Sequence, residues 1–223
     1  ANMARPKSGY FLEDGTKVPS VTTIISRFDD KESLIWWAVK LKNQGLDPLK
    51  VRNDSAKAGT LMHSMIEAHV AGDDPSPLMT DMPGNIVTEA LQAYHNYLKF
   101  VEEEGIKAIS LEEPLLSEVY GFGGTPDAMF EIDGQLCMAD WKSSPRAYKS
   151  HLYQLAAYGI LWDENHPDTP LTGEFHLMCF PRTTEGYTHH IFDNLDSERE
   201  VFLSHLSVYQ QDIDAEKRVK RNH

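Results

Sequence analysis

Two aspartates and a lysine in the middle of the chain have a spacing that could hold a cation over an anionic group. Asp127 follows Pro126, and thirteen residues later Asp140 is separated from Lys142 by one residue. Residues two apart in a strand project from the same face, so Asp140 and Lys142 share a face if this segment is extended. The alternative is a cross-strand Asp–Lys pair on the surface that contributes roughly a few tenths of a kcal/mol to stability.

A hairpin would place the two aspartates side by side. Asp133-Gly134 separates two strand-like segments, and this dipeptide is typical of a two-residue turn with positive φ at both positions. Pairing across the turn puts Asp127 opposite Asp140. Neighbouring carboxylates repel at pH 7 unless a cation lies between them, and oxygen ligands of this kind suit Mg²⁺ or Mn²⁺. A nearby lysine could hydrogen-bond a water or neutralise charge on a phosphoryl oxygen.

A helix predicted at 55–71 carries a second set of polar residues. His63 and Glu67 are four residues apart and therefore lie on one helix face. Gly59, one turn before His63, would permit another backbone to come close. Imidazole accepts Mn²⁺ more readily than Mg²⁺. The alternative is a His–Glu pair on the surface.

A helix predicted at 148–164 carries Gln154 and Tyr158, again four residues apart. The amide of Gln154 and the hydroxyl of Tyr158 could hold a phosphate or a base edge. Core packing is the alternative for Tyr158, because tyrosines at helical spacing usually pack in the interior.

These residues form four motifs in order, which are Gly59-x-x-x-His63, Gly124-x-x-Asp127, Asp140-x-Lys142 and Gln154-x-x-x-Tyr158. Together they resemble the PD-(D/E)XK nuclease superfamily, specifically its RecB-type branch, and they span under half of the chain. The resemblance implies a restriction-endonuclease-like α/β core of order αβββαβ. In such a core a central mixed sheet is flanked by helices, here with N-terminal helical additions.

The resemblance also implies roles for individual residues. The metal ligands would be His63, Asp127, Asp140 and the backbone carbonyl of Trp141, around one or two Mg²⁺ or Mn²⁺ ions. The catalytic residues would be Asp127, Asp140 and Lys142, with Lys142 positioning the attacking water. The substrate-binding residues would be Gln154, Tyr158, Ser143, Ser20, Thr22 and Trp36. Glu67 would contact the metal ligands without binding the metal itself.

Members of this branch cleave DNA by metal-assisted hydrolysis and generally leave a 5′-phosphate and a 3′-hydroxyl. The resemblance therefore implies an exonuclease or an end-dependent single-strand nuclease in DNA recombination, repair or replication. A site-specific or structure-specific endonuclease and a non-catalytic nucleic-acid-binding module are the alternatives. The chain has no helicase motif, so unwinding would need a helicase or recombination partner.

The N-terminal segment resembles the entry segment of small phage and mitochondrial exonucleases of the same branch. Residues 10–30 are predicted to be extended and rich in turns, with hydroxyl groups at Ser20 and Thr22 that are suited to phosphates. Trp36 and Trp37 follow in a predicted helix, and one of them could stack on a base. For one of the two tryptophans we expect a place in the core, and the sequence does not indicate which one.

The net charge of −13 argues against a nucleic-acid partner, but its distribution weakens that argument. Residues 64–140 contain fifteen acidic residues and only two lysines, which accounts for the whole net charge. Residues 31–57 and 142–149 are locally basic. DNA therefore remains the expected partner, although a solvated surface would explain any single lysine.

A length of 223 residues with 41% hydrophobic residues is ordinary for a globular domain. We expect one nuclease domain over 1–223, with a DNA-entry segment (1–54), a catalytic core (55–192) and a C-terminal helix (193–223). The predicted helices are 32–42, 55–71, 85–104, 148–164 and 197–217. The predicted strands are 108–118, 122–132, 135–142, 174–180 and 187–192.

The two cysteines, Cys137 and Cys179, lie in apolar segments and are predicted to be buried thiols in a reducing compartment. They are too few to hold a typical iron–sulfur cluster. No membrane association is expected, because there is no apolar run of about 18 residues. The first five residues lack a signal-peptide pattern. A cytoplasmic location in a bacterial or phage-infected cell is expected, or the mitochondrial matrix if a leader was trimmed.

Overall fold

The computed structural model describes residue 6 and residues 8–221; the signal-peptide interpretation of residues 1–5 lies outside them. The helices are α1 (Val21–Ser26), α2 (Lys31–Asn43), α3 (Pro48–Ala71), α4 (Gly84–Glu104), α5 (Lys149–Asn165) and α6 (Asp196–Arg221), with a short 3₁₀ helix at Ser76–Met79. The strands are β1 (Tyr10–Phe11), β2 (Lys17–Val18), β3 (Ala108–Leu111), β4 (Leu115–Ser117), β5 (Phe122–Gly124), β6 (Ala128–Ile132), β7 (Gln135–Lys142), β8 (Phe175–Cys179) and β9 (Thr188–Phe192). Among these helices, none is long and apolar enough to cross a bilayer.

A five-stranded mixed sheet forms the centre, with strand order β3-β6-β7-β8-β9. The pairing of β7 with β8 is parallel and the other three pairings are antiparallel. Helix α5 connects the two parallel strands, as a crossover connection requires. The predicted α/β fold class, with a mixed sheet flanked by helices, is confirmed.

Side-chain alternation along β7 divides the interior into two layers. Met138 packs with apolar residues of α1, α5 and α6 on one face of the sheet. Cys137, Ala139 and Trp141 pack with α3 and α4 on the other face. Because both faces are covered, the last residues of β7 emerge between the two layers of helices. Cys137 and Cys179 are both buried and free, so the prediction of buried thiols is confirmed.

The predicted hairpin is present between β6 and β7. Asp133 has a φ of 51° and Gly134 a φ of 74°, the positive values that the two-residue turn requires. Ala128 is opposite Ala139 in this pairing. Residues 127 and 140 therefore come together where the paired strands leave the sheet.

Two of the predicted strands are wrong in extent. The segment 108–118 divides into β3 and β4, and the segment 122–132 divides into β5 and β6. β4 and β5 pair with each other in a separate two-stranded sheet. Each break contains a proline, Pro114 or Pro126, which has no N–H to donate to a neighbouring strand.

The prediction that residues 10–30 are extended is wrong for the β-branched run Val21–Ile25, which lies in helix α1. The hydroxyl of Ser20 accepts a hydrogen bond from the N–H of Thr23 at 3.1 Å and so caps the helix. Val21, Ile24 and Ile25 are buried at the i, i+3, i+4 spacing of a helix. Their burial against α5 and α6 outweighs the strand preference of branched residues.

Helix α3 begins at Pro48, seven residues before the predicted start. Asp47 caps it, and proline suits the first helical position because the N–H there has no helical partner. Helix α2 has no buried residue, and 66% of Trp36 and 39% of Trp37 are exposed. The expectation that one of these tryptophans lies in the core is therefore wrong.

Candidate active site

Three potential metal ligands come together beside the end of the hairpin. One ligand atom from each of His63, Glu112 and Asp127 lies within 4.8 Å of the others. Nδ1 of His63 is 3.4 Å from Oδ1 of Asp127 and 3.6 Å from Oε1 of Glu112. Helix α3 supplies the imidazole. The two carboxylates lie next to strand ends, because Glu112 follows β3 and Asp127 precedes β6. A histidine with two carboxylates is a donor set that suits Mn²⁺ or Mg²⁺.

The backbone holds Asp127 in place. Its Oδ2 accepts a hydrogen bond of 3.0 Å from the N–H of Trp141 in β7. Its carbonyl oxygen accepts a hydrogen bond of 3.1 Å from the N–H of Glu112. Asp127 is 1% exposed. One carboxylate oxygen is thus anchored to the sheet, while the other faces His63.

Glu112 is a candidate ligand that the sequence analysis missed. It follows β3, whose last residue, Leu111, lies opposite Ala128, so the same register brings residue 112 next to Asp127. Glu112 also has a φ of 45°, a conformation that is uncommon for a residue with a side chain. The sequence signal that could have found it is the acidic pair before Pro114, inside the predicted strand 108–118, where proline favours a break in the strand.

Asp140 is 1% exposed and lies directly after the apolar part of β7. Burial, followed by the charge of Asp127, raises the pKa of Asp140 to about 7, although Lys142 opposes both effects. Nζ of Lys142 is 2.7 Å from Oδ2 of Asp140, an ion-pair distance. Neither oxygen of this carboxylate has a well-aligned hydrogen-bond donor among the described residues. A buried carboxylate next to a second carboxylate fits a bound cation.

Lys142, Gln154 and Tyr158 form a continuous chain of contacts. Nζ of Lys142 donates to Oε1 of Gln154 at 2.7 Å, and Nε2 of Gln154 donates to the hydroxyl of Tyr158 at 2.7 Å. Gln154 is 8% exposed and Tyr158 is 3% exposed, so helix α5 presents both from its buried face. The structure therefore brings together the lysine of one motif with both residues of another.

His151 is a second residue that the sequence analysis missed. It lies on α5 one turn before Gln154, and its Nδ1 is 3.3 Å from the N–H of Tyr148. Burial, followed by the charge of Lys142, lowers the pKa of His151 to about 4. A neutral imidazole with Nδ1 accepting leaves its proton on Nε2.

The other predicted residues lie around this centre at different distances. Ser20 and Thr22 join in a hydrogen bond of 3.1 Å and line a groove of about 990 Å³ that extends to Thr125 and Tyr158. Ser143 follows Lys142 at the end of β7. Glu67 lies one turn after His63 on α3 and is half-buried. Trp36 lies on the exposed helix α2. Trp141 packs its side chain on the α3–α4 face.

No protein-family model and no curated protein matches the chain. Among solved structures, it is similar to a candidate exonuclease from Eubacterium rectale, with 13% identity over 70% of this chain and 66% of that chain and a TM-score of 0.49. The compared region is thus slightly less than two thirds of that protein. The chain is also similar to an alkaline exonuclease from Laribacter hongkongensis, with 12% identity over 72% of this chain and 82% of that chain and a TM-score of 0.44. A structure of the same enzyme in complex with dAMP has 14% identity, the same coverages and a TM-score of 0.39.

Proposed function

We propose that the chain is a metal-dependent deoxyribonuclease of the PD-(D/E)XK type that hydrolyses DNA from an end. The observation that carries the proposal is the buried carboxylate of Asp140 next to Asp127, with Lys142 at 2.7 Å on its other side. Two carboxylates and a lysine in this order, backed by His63 and Glu112, match the needs of phosphodiester hydrolysis. Phosphodiester hydrolysis requires a cation site, a group that holds the attacking water, and buried surroundings that exclude bulk water from both.

Each residue of the centre has a role in this proposal. His63, Glu112, Asp127 and Asp140 would hold Mg²⁺ or Mn²⁺, and the carbonyl of Trp141 is a further proposed ligand. A divalent cation, when bound, lowers the pKa of a coordinated water and offsets charge on a phosphoryl oxygen. Lys142 donates a hydrogen bond to the oxygen of the attacking water, and Gln154 fixes the direction of that ammonium group. Tyr158 in turn orients the amide of Gln154.

The proposed substrate is a DNA end or a single strand. The groove that contains Ser20, Thr22 and Tyr158 could receive the strand, because hydroxyl groups bind phosphates without regard to sequence. Ser143 would contact the strand beside the scissile bond, and Trp36 would stack on a base. Such an enzyme would act in DNA recombination, repair or replication, with a helicase as a possible partner for duplex substrates.

Product analysis on end-labelled DNA with Mg²⁺ or Mn²⁺ tests the proposal. Asp140→Ala and Lys142→Ala should each lower cleavage by at least about a thousandfold, since the first removes a proposed metal ligand and the second removes the group that positions the attacking water. Lys107→Ala is the matched control, because it removes an exposed lysine outside the centre. Cleavage by either active-site variant at the rate of the unaltered protein would overturn the proposal.

Two other functions are distinguishable in the same assay. Rapid cutting of covalently closed circular DNA would indicate an endonuclease, because an end-dependent enzyme requires a free end. Binding of DNA without any product in either metal would indicate a non-catalytic binding module.

A further inference from the structure

Arg182 connects two elements beside the candidate active site. It lies just after β8, where its Nε donates to Oε2 of Glu89 on α4 at 3.0 Å. Its Nη1 lies 3.1 Å from Oγ of Ser143 and 3.4 Å from the carbonyl oxygen of Ser143. The side chain is 22% exposed. The guanidinium group is therefore held between α4 and the residue that follows Lys142.

The segment that carries Arg182 is itself fixed. Nδ2 of Asn96, a buried residue of α4, donates to the carbonyl oxygens of Pro181 and Thr184 at 2.9 Å each. Oδ1 of Asn96 accepts a hydrogen bond of 2.9 Å from the N–H of Gly186. The N–H of Phe180 donates to the carbonyl oxygen of Lys142 at 2.7 Å. Contacts on both sides of Arg182 thus fix its backbone relative to the end of β7.

The position of Ser143 relates Arg182 to the metal-ligating face of α3. A Cβ placed on Gly59 would be 3.0 Å from Oγ of Ser143. Gly59 is four residues before His63 and lies on the same helix face. The guanidinium group therefore lies at the junction between the end of β7 and α3, on the side of the sheet opposite the groove of Ser20 and Tyr158.

Only part of the hydrogen-bonding capacity of the Arg182 guanidinium is used by the described residues. A guanidinium has five N–H donors, and the contacts of Arg182 involve only Nε and Nη1. Nη2 donates to no other residue in the described part of the chain. Lys142, the residue before Ser143, already contacts Asp140 and Gln154. A DNA strand that reaches this acidic centre needs a cation that is not engaged in the chemistry.

We propose that Arg182 binds a phosphate of the substrate strand next to the scissile phosphate, through the free edge of its guanidinium. This inference rests on the proposed nuclease function and adds a substrate contact on the α3 side of the centre. A preorganised planar group of this type suits phosphate better than a mobile lysine does. Strand binding, rather than the cleavage step, is what Arg182 contributes.

Binding of a fluorescent single-stranded oligothymidylate as a function of salt tests this proposal. The parent protein for the assay carries Asp140→Asn, so that the probe is not cut. Adding Arg182→Gln should weaken binding roughly tenfold at low salt, as loss of a charge-assisted contact does. The slope of log K against log salt should become shallower by about 0.7, the value for one phosphate contact on a single strand.

Three further variants in the same background separate binding from folding. Arg199→Gln removes an exposed arginine near the start of α6 and should change neither the affinity nor the slope. Arg182→Lys keeps the charge and should retain the slope. Glu89→Gln keeps the guanidinium and should retain both affinity and slope.

Two results would overturn the proposal while leaving the nuclease function intact. One is an Arg182→Gln protein with a lowered melting temperature but with the affinity and slope of the parent. The other is an Arg182→Gln protein that loses affinity but keeps the salt slope of the parent, which would make Arg182 a structural clamp. If the parent protein binds no oligonucleotide at all, the nuclease function is overturned and the Arg182 contact with it.

Discussion

A buried carboxyl group destabilises a folded protein when it is ionised, unless a cation binds it. Asp140 is 1% exposed, and burial followed by the charge of Asp127 raises its pKa to about 7 from an ordinary value of 3.8. The folded state therefore binds a proton more tightly than the unfolded state does. The stabilising effect of that proton is complete below about pH 4 and is lost as the pH rises through about 7.

Replacing Asp140 by Asn should therefore stabilise the protein at pH 8 in the absence of metal. We expect the melting temperature to rise by about 2–4 °C for each kcal/mol recovered. The same variant should lose most of the stabilisation that Mn²⁺ confers on the unaltered protein. Thermal melts with EDTA and with Mn²⁺ measure both effects.

Asp133→Asn is the control for this pair of melts, because Asp133 is an exposed turn residue and Asn tolerates its positive φ. It should leave both melting temperatures unchanged. An unaltered Mn²⁺ response in Asp140→Asn would remove Asp140 from the ligand set.

His176 and His189 form a buried pair away from the candidate active site, and protonation of this pair destabilises the folded protein. Nδ1 of His176 is 2.8 Å from Nε2 of His189, so one ring donates its proton to the other. Burial lowers the pKa of His176 to about 4 and lowers the pKa of His189 as well. Since the unfolded chain takes up these protons first, stability is lost as the pH falls from about 6.5 towards 4.

In the Asp140→Asn background, where the opposing carboxyl is absent, the free energy of unfolding should fall between pH 7 and pH 5. His176 should account for about 1–2 kcal/mol of that fall, and His151, whose pKa is also lowered to about 4, contributes as well. Urea unfolding at the two pH values measures this fall. Adding His176→Gln should reduce it, whereas adding His95→Gln on the exposed face of α4 should not. An equal fall in all three proteins would show that the buried pair is not its origin.

At the scale of elements, the approach of α3 to the end of β7 is what assembles the candidate active site. Gly59 lies at that contact, because a Cβ there would be 3.0 Å from Oγ of Ser143. Arg182 holds this hydroxyl in place from the other side. A larger residue at 59 must therefore displace either Ser143 or the helix that carries His63.

Gly59→Ala should lower DNA cleavage by about tenfold or more without lowering thermal stability. Alanine favours a helix interior by about 0.5–1 kcal/mol over glycine, while its methyl group displaces Ser143. Cleavage rates and melting temperatures of Gly59→Ala, Ser143→Ala and the double variant form a double-mutant cycle. The double variant should be more active than the sum of the two losses predicts.

Gly84→Ala provides the matched control, because a Cβ at Gly84 meets nothing within 4 Å. Its cleavage rate should equal that of the unaltered protein. If Gly59→Ala also cleaves at that rate, the contact between α3 and Ser143 does not position the centre.

At the scale of the whole molecule, an acidic protein must bind a polyanion through few contacts. The net charge is −13, so a DNA strand is attracted only where local basic groups face it. We expect about two to four phosphate contacts on a single strand, and hence a slope of log K against log salt of about −1.5 to −3. Fluorescence binding titrations between low and physiological salt measure this slope. A value steeper than about −5 would contradict a site of this size.

Local sequence was sufficient to predict much of the molecule. The Asp133-Gly134 turn set the pairing of β6 with β7, because a two-residue turn with positive φ leaves one register available. That register places Asp127 next to Asp140. Helical periodicity located α2, α4 and α5 within a residue or two of their observed ends. These features depend on neighbours in the chain, so they can be recognised from the sequence.

Only the tertiary structure decided which distant residues join them. Glu112 reaches His63 because β3 pairs with β6, and Arg182 reaches Ser143 because β8 runs parallel to β7. Helix α1 forms from a strand-like run because α5 and α6 bury three of its residues. Periodicity and turn chemistry act over a few residues, whereas sheet pairing and helix packing join residues far apart in the chain. For this reason the sequence alone was enough to propose an aspartate–lysine centre, whereas the contributions of Glu112 and Arg182 could be recognised only in the folded protein.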